Sequence, residues 1–300
     1  MASDSGAGVK LPGHLILEVT RKCNFHCPFC YCVWHEFPEL ARRDLSTREW
    51  LRILDFVLAN GADDLLFTGG EALMRRDIRE LIAYARRWAP KCRLAIFTNG
   101  ARMNEDFLRF FRRYKVFIST SLPGLSTYPA MTGSRRSFKR ILSMIARAKE
   151  LKWPVSVSLT ATSANRHEFA DLFCAAAIAG AAGIQAGAAM LAGQARLHPE
   201  ITISRAEWEA LKQRIRELPD LKVSYNFGDE MLCECREHRP EDLAAFGRPD
   251  RQPCHAGERF GVIGPSGHFR NCMHTVDNRI HWRDLAAAQP SKTYSHDEPL

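Results

Sequence analysis

The sequence predicts an α/β protein, an incomplete (β/α)6 TIM-like barrel with a small cysteine-rich C-terminal extension. Short apolar, β-branched runs alternate with amphipathic helical patterns from residue 14 to about residue 190, and such an alternation indicates a parallel sheet. The six units fall short of the eight of a closed barrel. An open doubly wound sheet fits the same alternation. Cysteines crowd the far end of the chain, which indicates the extension.

The elements follow from periodicity. Strands are predicted at residues 14–19, 64–67, 93–97, 115–120, 155–159 and 183–187, and helices at 47–59, 77–88, 105–112, 138–150 and 167–177. Ser46 and Glu49 form the pattern of a capping box at the start of the first helix. Beyond residue 191 the rhythm ends, with one more helix at 205–217 and an isolated strand at 221–225. We therefore predict a disordered leader over 1–13, a core over 14–195 and an extension over 196–300.

Composition narrows the function classes. No apolar run reaches membrane-spanning length, and the first residues lack the apolar stretch of a signal peptide, so we expect a cytoplasmic protein and no membrane partner. Ten cysteines in a reducing compartment favour metal ligation or redox chemistry over disulfides. The net charge of +8 comes with scattered arginine pairs, which indicate solvated helix faces or attraction to an acidic peptide. No basic stretch interleaved with aromatics supports nucleic-acid binding.

The most informative segment is CNFHCPFC, directly after the first predicted strand, with thiols at Cys23, Cys27 and Cys30. Three thiolates in eight residues can hold a metal centre from one loop, but three is one fewer than a closed site needs. An open position serves a substrate or a cofactor. The spacing therefore predicts a chemical site rather than a structural one.

Polar or small residues follow the other strands as well. In parallel barrels and open α/β sheets, functional groups collect at the carboxyl ends of the strands. All five strand ends are thus expected to lie on one rim around the three cysteines. The segments after strands two to five are 68–71 (TGGE), 98–100 (TNG), 119–124 (STSLPG) and 160–165 (TATSAN).

These motifs together resemble the radical S-adenosylmethionine superfamily. The resemblance rests on Cys-x3-Cys-x2-Cys at 23–30 and on GGE at 69–71, and it covers residues 14–190. The segments TNG, SLPG and Asn165 are similar to those of its peptide- and cofactor-modifying branch, which carries SPASM or Twitch extensions.

The resemblance implies that Cys23, Cys27 and Cys30 bind a 4Fe-4S cluster, with one iron left for the amino and carboxylate groups of S-adenosylmethionine. It implies that glycine lets the backbone approach the methionine end, that Glu71 accepts a hydrogen bond from the ammonium group, and that Phe29 lies near the adenine. The cofactor-binding residues that it implies are Phe29, Gly69, Gly70, Glu71, Thr98, Asn99, Ser121 and Asn165.

The sequence departs from this family pattern at two places. Pro123 stands where the branch often has an aspartate. Relatives often place a carboxylate-binding arginine a few residues later, and Arg135 or Arg136 is the candidate here.

A second cysteine group lies near the C-terminus. The segment 254–272 predicts a hairpin with strands at 260–263 and 268–270, which would hold Cys254 and Cys272 together at its base. It looks like the opening of a SPASM or Twitch extension. No cysteine follows Cys272, so we expect one auxiliary 4Fe-4S cluster, with Cys233 and Cys235 as further ligands. One of that pair is alternatively a free thiol that donates a hydrogen atom to a substrate radical, which makes both candidate catalytic residues. Structural zinc is the rival occupant.

The resemblance implies an enzyme that cleaves S-adenosylmethionine to a 5′-deoxyadenosyl radical and abstracts a hydrogen atom, with a ribosomally synthesised peptide as the expected substrate. Two alternatives stay open: a dehydrogenase or cofactor-biosynthesis enzyme acting on a small molecule, and a non-catalytic zinc-binding protein. The expected partners are an external reductant such as flavodoxin or ferredoxin and a separate leader-peptide-binding protein. The remaining cysteines, Cys32, Cys92 and Cys174, are expected to be small buried residues. Gln185 faces either the pocket or the sheet.

Overall fold

Nine strands form one sheet in the computed structural model, which describes residues 11–134, 138–228, 256–274 and 280–287. The strands are β1 His14–Glu18, β2 Asp64–Thr68, β3 Arg93–Thr98, β4 Val116–Ser121, β5 Val155–Ala161, β6 Gly183–Ala188, β7 Ser224–Phe227, β8 Phe260–Ile263 and β9 Phe269–Arg270. Their order across the sheet is β7-β6-β5-β4-β3-β2-β1-β8-β9. Neighbours from β7 through to β8 pair in parallel, and β9 is antiparallel to β8.

Helices follow most of the strands. They are α1 Thr47–Ala59, α2 Ile78–Trp88, α3 Glu105–Arg113, α4 Tyr128–Thr132, α5 Lys139–Glu150, α6 Phe169–Ala179, α7 Gln194–Leu197, α8 Arg205–Arg216 and α9 Trp282–Ala287. The predicted strands one to six and the predicted helices all end within two residues of observed ones. The short helices α4, α7 and α9 escaped prediction, because one turn or two of helix leaves too little periodicity to detect.

The strand order decides between the two predicted architectures. Strands β1 to β7 lie side by side in chain order, whereas a doubly wound sheet reverses its order at a switch point. Successive right-handed crossovers of this kind place the helices on one face of the sheet. The winding is therefore that of a barrel. Within the described ranges the sheet stays open, with β7 at one edge and β9 at the other.

The prediction of six strand–helix units undercounts the sheet, in which the described residues form eight parallel strands. The seventh is the strand predicted at 221–225, observed at Ser224–Phe227 and paired with β6. The eighth is β8, which pairs in parallel with β1. Strands on both sides of residue 195 thus share one sheet, and the division of the chain at that residue stays a prediction.

The sheet buries different sets of side chains on its two faces. Successive residues of a strand point to opposite faces, so Leu15 and Leu17 of β1 face one way and Ile16 the other. Leu15 and Leu17 belong to the large core that the helices cover. Ile16 belongs to a small cluster with Leu66 and Val262, on the inner face of the partial barrel.

The predicted capping box is present at the start of α1, and a second one is found at α8. Ser46 caps α1, its side chain accepting from the backbone N–H of Glu49 while the Glu49 side chain accepts from the Ser46 N–H. Ser204 and Glu207 repeat this arrangement at α8. In the part of the chain that the structure covers, no helix is long and apolar enough to cross a membrane.

Candidate functional site

The three cysteines lie on the segment that follows β1, residues 19–32, here called the cysteine loop. Cys23 is exposed, and Cys27 and Cys30 are half-buried. Two N–H groups point at the Cys23 sulfur, the Phe25 amide at 3.4 Å and the Asn99 side-chain amide at 3.8 Å. Donors aimed at sulfur stabilise a thiolate, which is the form that ligates iron.

The thiols do not all ionise readily without a cation. Burial raises the pKa of the Cys23 thiol to about 11 and raises the pKa of Cys27 further. Hydrogen bonds from Cys32 and His35 lower the pKa of Cys30. Because a bound metal centre supplies the charge that deprotonates its thiol ligands, this trio suits a metal centre better than a free thiolate site.

Gly69 and Gly70 hold the start of the cysteine loop. The Gly70 and Glu71 amides donate to the carbonyl oxygens of Thr20 and Lys22, both at 2.8 Å. A Cβ on Gly69, whose φ is +133°, would lie 2.3 Å from the Thr20 oxygen, and one on Gly70 would lie 2.5 Å from that of Lys22. Glycine is required here by the chain's own backbone. The predicted approach to the cofactor stays a prediction.

Glu71 joins the ends of β2 and β3. Its carboxylate accepts from the Leu73 amide at 3.0 Å, the Thr98 hydroxyl at 2.7 Å and the Asn99 amide at 2.6 Å. Burial raises the pKa of Glu71, although these donors favour its ionised form. Three of about four lone-pair positions are thus occupied by protein donors. The fourth position has no donor among the described residues, and the side chain is buried, so the ammonium contact stays a prediction.

Asn99 links β3 to the cysteine loop. Besides its approach to the Cys23 sulfur, its amide donates to the Asn24 side chain at 3.0 Å, and its oxygen accepts from the Ala101 N–H at 3.0 Å. The structure therefore brings Thr98 and Asn99 together with Glu71 and the cysteine trio.

Helix α4, in the connection after β4, packs on the other side of the cysteine loop. The His26 amide donates to the Thr132 carbonyl at 2.8 Å, and the Phe25 ring meets the Tyr128 ring edge-on at 6.1 Å. Ser121, half-buried at the end of β4, shares this rim. Phe29 is half-buried on the loop itself. Arg135 and Arg136 lie outside the described residues.

Asn165 is fully buried, and its side-chain amide makes hydrogen bonds to other groups of the protein. Its oxygen accepts from the Thr162 amide at 2.8 Å and its nitrogen donates to the carbonyls of Pro123 and Thr160, both at 2.8 Å. These bonds tie the connection after β5 to the connection after β4. Direct contact with a cofactor would require some of them to break, so its position favours a supporting role.

Glu168 extends this tie and was missed in the sequence. Its carboxylate accepts from the amides of Leu125 at 2.7 Å and Ser126 at 2.9 Å, and from the hydroxyls of Ser126 and Thr127. Burial opposes ionisation, but these donors outweigh it and lower the pKa of Glu168 to about 2. The turn that leads into α4 is therefore built around one carboxylate.

The connection after β6 closes the rim. The Gln194 amide donates to the Cys30 carbonyl at 2.7 Å, and a Cβ on Gly193 would lie 2.5 Å from the Cys32 carbonyl. Glu36 accepts from the Gly193 amide at 2.5 Å and pairs with Arg196 at 2.7 Å. Cys32, buried as predicted, directs its thiol to the Gly69 carbonyl at 3.7 Å. This contact was missed in the sequence, and Gly193, whose φ is +57°, is the residue that could have indicated it.

The inner face of the sheet changes character from β4 to β7. Register and alternation place Ser121, Ser158, Gln185 and Asn226 in one row across four strands, on the face opposite to the large core. The serines are half-exposed and the two amide side chains are exposed. Gln185 thus faces the open side of the sheet rather than the helices. Polar groups line this half of the partial barrel, in contrast to the apolar cluster under β1, β2 and β8.

The predicted hairpin at the C-terminus is present as β8 and β9. Cys272 follows β9 and is buried, with the His274 amide 3.5 Å from its sulfur. The other proposed ligands and candidate catalytic thiols, Cys233, Cys235 and Cys254, fall outside the described ranges. Among the residues that are described, no group of three or more His, Cys, Asp or Glu side chains is arranged to hold a single metal ion. Thiolates on separate irons of one cluster need a wider spacing than ligands of one ion.

The geometry defines a class: an α/β protein with barrel-type winding whose three-cysteine loop, glycine-rich strand end and polar side chains meet at the carboxyl ends of parallel strands. A family model described as the Radical SAM superfamily matches residues 17–173, and this is more than half of the chain. The chain therefore belongs to the radical SAM superfamily, whose members are enzymes. Membership implies a 4Fe-4S cluster and S-adenosylmethionine, and the open trio of thiols fits both.

Curated relatives match part of the chain. The sporulation killing factor maturation protein SkfB of Bacillus subtilis is 28% identical over 188 residues, which cover 62% of this chain and 44% of SkfB. The Fe-coproporphyrin III synthase of Methanosarcina barkeri is 28% identical over 177 residues, covering 55% of this chain and 43% of the synthase. The chain thus spans less than half the length of these two relatives.

The fold is also similar to that of Streptococcus suis SuiB. The SuiB structure with S-adenosylmethionine superposes with a TM-score of 0.68 at 15% identity, covering 93% of this chain and 65% of SuiB. The structure of SuiB with its precursor peptide SuiA gives 0.67 at 15% identity, covering 92% and 64%. At this identity the likeness shows the fold alone.

Proposed function

We propose that the chain is an iron–sulfur enzyme that splits S-adenosylmethionine and takes a carbon-bound hydrogen atom from a peptide. The observation that carries the proposal is the open trio of Cys23, Cys27 and Cys30 on the rim, within reach of Glu71 and Asn99. When bound, a 4Fe-4S cluster supplies the single electron that divides S-adenosylmethionine into methionine and a 5′-deoxyadenosyl radical, which becomes 5′-deoxyadenosine on taking the hydrogen atom.

The chain's own residues bind the cluster and S-adenosylmethionine and orient them. The three thiolates hold the cluster, and the N–H groups of Phe25 and Asn99 support the Cys23 sulfur. Glu71 keeps the β3 connection in place and has one free acceptor position for an ammonium group. We assign Phe29, Gly69, Gly70, Thr98 and Ser121 to the cofactor pocket, and Asn165 to its support.

Two observations favour a peptide as substrate. SkfB is named as a maturation protein, and SuiB has been solved with a precursor peptide. Independently, the row of Ser121, Ser158, Gln185 and Asn226 presents donors and acceptors to the open side of the sheet. Such groups suit the amides of a peptide backbone. The M. barkeri relative favours the second candidate, an enzyme that acts on a tetrapyrrole.

Several finer assignments belong to the same proposal. Residues 14–195 form the catalytic core and 196–300 an extension with one auxiliary cluster, held by Cys233, Cys235, Cys254 and Cys272, with one of the first two as an alternative hydrogen-atom donor. The protein works in the cytoplasm, receives electrons from a flavodoxin or ferredoxin, and takes its peptide with the help of a separate leader-binding protein.

Iron counting and nucleoside analysis test the chemistry. The anaerobically reconstituted protein is expected to hold about eight irons, four for each 4Fe-4S cluster, and to release 5′-deoxyadenosine when reduced with S-adenosylmethionine. Cys27→Ala removes about four irons and all of the nucleoside, and Cys272→Ala removes the other four. Cys92→Ala is the matched control, because Cys92 is a buried cysteine at the opposite end of β3. Zinc in place of iron, or no nucleoside, contradicts the proposal.

A substrate comparison separates the two candidates. The reduced protein is incubated in deuterated water with a precursor peptide encoded beside its gene, and separately with a porphyrin-type precursor of Fe-coproporphyrin III, the product for which the M. barkeri relative is named. A mass change in the peptide, with none in the porphyrin, supports the peptide assignment. Gln185→Ala is expected to raise the KM for the peptide about fivefold, since a lost hydrogen bond to the substrate costs about 1 kcal/mol. Turnover of the porphyrin alone selects the second candidate.

A further inference from the structure

An ion pair without access to solvent joins two parts of the chain that are 252 residues apart. Arg270, in β9, donates from Nη2 to Oε2 of Glu18, the last residue of β1. The two side chains are 2% and 0% exposed. Glu18 lies five positions before Cys23, and Arg270 lies two positions before Cys272. The pair therefore connects the segments that carry the two groups of cysteines.

The C-terminal hairpin, defined as residues 260–274, meets the supports of the cysteine loop at two other places. The His274 ring contacts the Tyr31 ring edge-on at 5.7 Å, and Tyr31 follows Cys30 directly. In the hairpin turn, Pro265 accepts from the Leu45 amide at 2.9 Å. The residue before Leu45, Asp44, binds the Thr20 hydroxyl at 2.5 Å and the Arg21 amide at 2.8 Å.

The pair is poorly suited to raising stability alone. Taking two charges out of water costs several kcal/mol per ion, and apolar residues of similar volume often serve a fold as well or better. Compensation is also incomplete, because Oε1 of Glu18 is buried and has no hydrogen-bond partner among the residues that the structure describes. The β1–β8 ladder already attaches the hairpin to the sheet. What the pair adds is direction, because a charge-assisted hydrogen bond between two buried side chains favours one position of β9 relative to the end of β1.

We propose that Arg270 and Glu18 are a positioning pair that locks the C-terminal hairpin against the cysteine loop and thereby sets the geometry in which the thiol trio holds its cofactor. This inference depends on the proposed function only in taking Cys23, Cys27 and Cys30 as the ligands. The hairpin then supports the cofactor site of the catalytic core, whether or not residues 229–255 provide ligands for an auxiliary cluster.

The test compares four variants by hydrogen exchange of the reconstituted protein. Glu18→Gln and Arg270→Met each leave one partner of the pair. Glu18→Leu/Arg270→Met replaces both with apolar side chains and is expected to fold at least as stably as either single variant. The control is Asp55→Asn, which weakens a buried bond of 2.5 Å from the Tyr84 hydroxyl, between α1 and α2 and away from the rim.

We expect the amides of residues 19–32 and of the hairpin to exchange about 1,000-fold faster in the single variants, because this factor corresponds to the cost of leaving one partner of a buried ion pair alone. In the double variant, overall stability returns but exchange in 19–32 stays fast, and the electron paramagnetic resonance signal of the N-terminal cluster broadens on addition of S-adenosylmethionine. The Asp55→Asn control speeds exchange in α1 and α2 and leaves 19–32 unchanged.

Wild-type exchange at 19–32 in the double variant overturns the proposal, as does an equal effect of the Asp55→Asn control. If the single variants fail to fold, the double variant decides alone. This outcome can be separated from a failure of the proposed function. A wild-type protein that holds no iron contradicts the proposed function. Hydrogen exchange of the iron-free variants still tests whether the ion pair positions the cysteine loop.

Discussion

At the residue scale, two kinds of residue position the cysteine loop and the connections beside it. One is a glycine, which leaves room for a neighbouring backbone, and the other is a buried carboxylate that accepts several hydrogen bonds. Gly69 has no room for a side chain because the Thr20 carbonyl occupies that place. Glu71 and Glu168 each gather donors from residues that are distant in the chain. Single atoms at these positions therefore control the placement of whole connections.

Gly69→Ala is expected to lower the free energy of unfolding by about 3 kcal/mol, because it combines an unfavourable φ with a backbone clash. Gly61→Ala is the matched control, since Gly61 also has a positive φ, +90°, but nothing lies within 4 Å of its Cβ position. We expect the control to cost about 1 kcal/mol. Urea unfolding of both variants measures the difference, and equal losses would argue against the close approach.

Glu168 gives the protein a defined acid sensitivity. The pKa of Glu168 is about 2, which is below the usual carboxyl value of 4.5. The folded state therefore favours the ionised carboxylate more than the unfolded state does. This contribution is complete above about pH 5 and shrinks as the pH falls towards 2. Glu168→Gln is expected to cost about 2 kcal/mol at pH 7 and progressively less between pH 5 and pH 3.

Urea unfolding of the wild type and the Glu168→Gln variant at several pH values measures this change. Glu150→Gln, at an exposed carboxylate paired with Arg147 on α5, is the control and should cost less than about 1 kcal/mol at every pH. A wild-type minus variant difference that stays constant with pH would exclude ionised Glu168 as the cause.

At the element scale, the connections after the strands hold one another. The β5 connection reaches the β4 connection through Asn165 and Glu168, and α4 then reaches the cysteine loop through Thr132 and His26. We therefore expect a change in the connection after β5 to affect the cysteine loop through these contacts.

Asn165→Asp is expected to destabilise the protein by about 3 kcal/mol, because it removes two N–H donors and sets a charge against the carbonyls of Pro123 and Thr160. Asn104→Asp is a control at an exposed cap of α3, where the side-chain oxygen is the acceptor and an aspartate keeps that role. If Asn165 only supports the rim, affinity for S-adenosylmethionine should fall together with loop order, as measured by hydrogen exchange. A loss of affinity with unchanged loop exchange would indicate direct contact instead.

The elements also show what the sequence could predict. Strands and long helices were found because their periodicity is local. The predicted start of the seventh strand was too early, because Leu221 and Val223 alternate like strand residues but pack half-buried before it begins. Glu18, Glu168 and Arg270 carried no signal, because their partners lie 252 and 42 residues away. The cysteine trio and GGE were recognisable because their spacing is itself the motif.

At the scale of the whole molecule, the sheet makes one unit of segments from both halves of the chain. β8 covers the edge of β1 that faces away from β2, and the hairpin completes the small inner cluster with Val262. The predicted extension thus contributes to the core sheet itself, although the sequence suggested an appendage.

A chain that ends at residue 195 is expected to associate or aggregate, because it exposes the hydrogen-bonding edge of β1 together with Ile16 and Leu66. A chain that ends at residue 287 is the control and should behave as the full protein does. Size-exclusion chromatography with light scattering distinguishes them, and a monodisperse, stable 1–195 fragment would contradict the expectation.

The position of β8 beside β1 has a consequence for synthesis on the ribosome. β1 is synthesised well before its second neighbour in the sheet, since Leu15 pairs with Gly261, which lies about 246 positions later in the chain. The nascent chain therefore carries the thiols of Cys23, Cys27 and Cys30 next to an unpaired sheet edge until residues 260–263 have been synthesised. We expect these thiols to be accessible to metal-loading proteins before the hairpin pairs with β1.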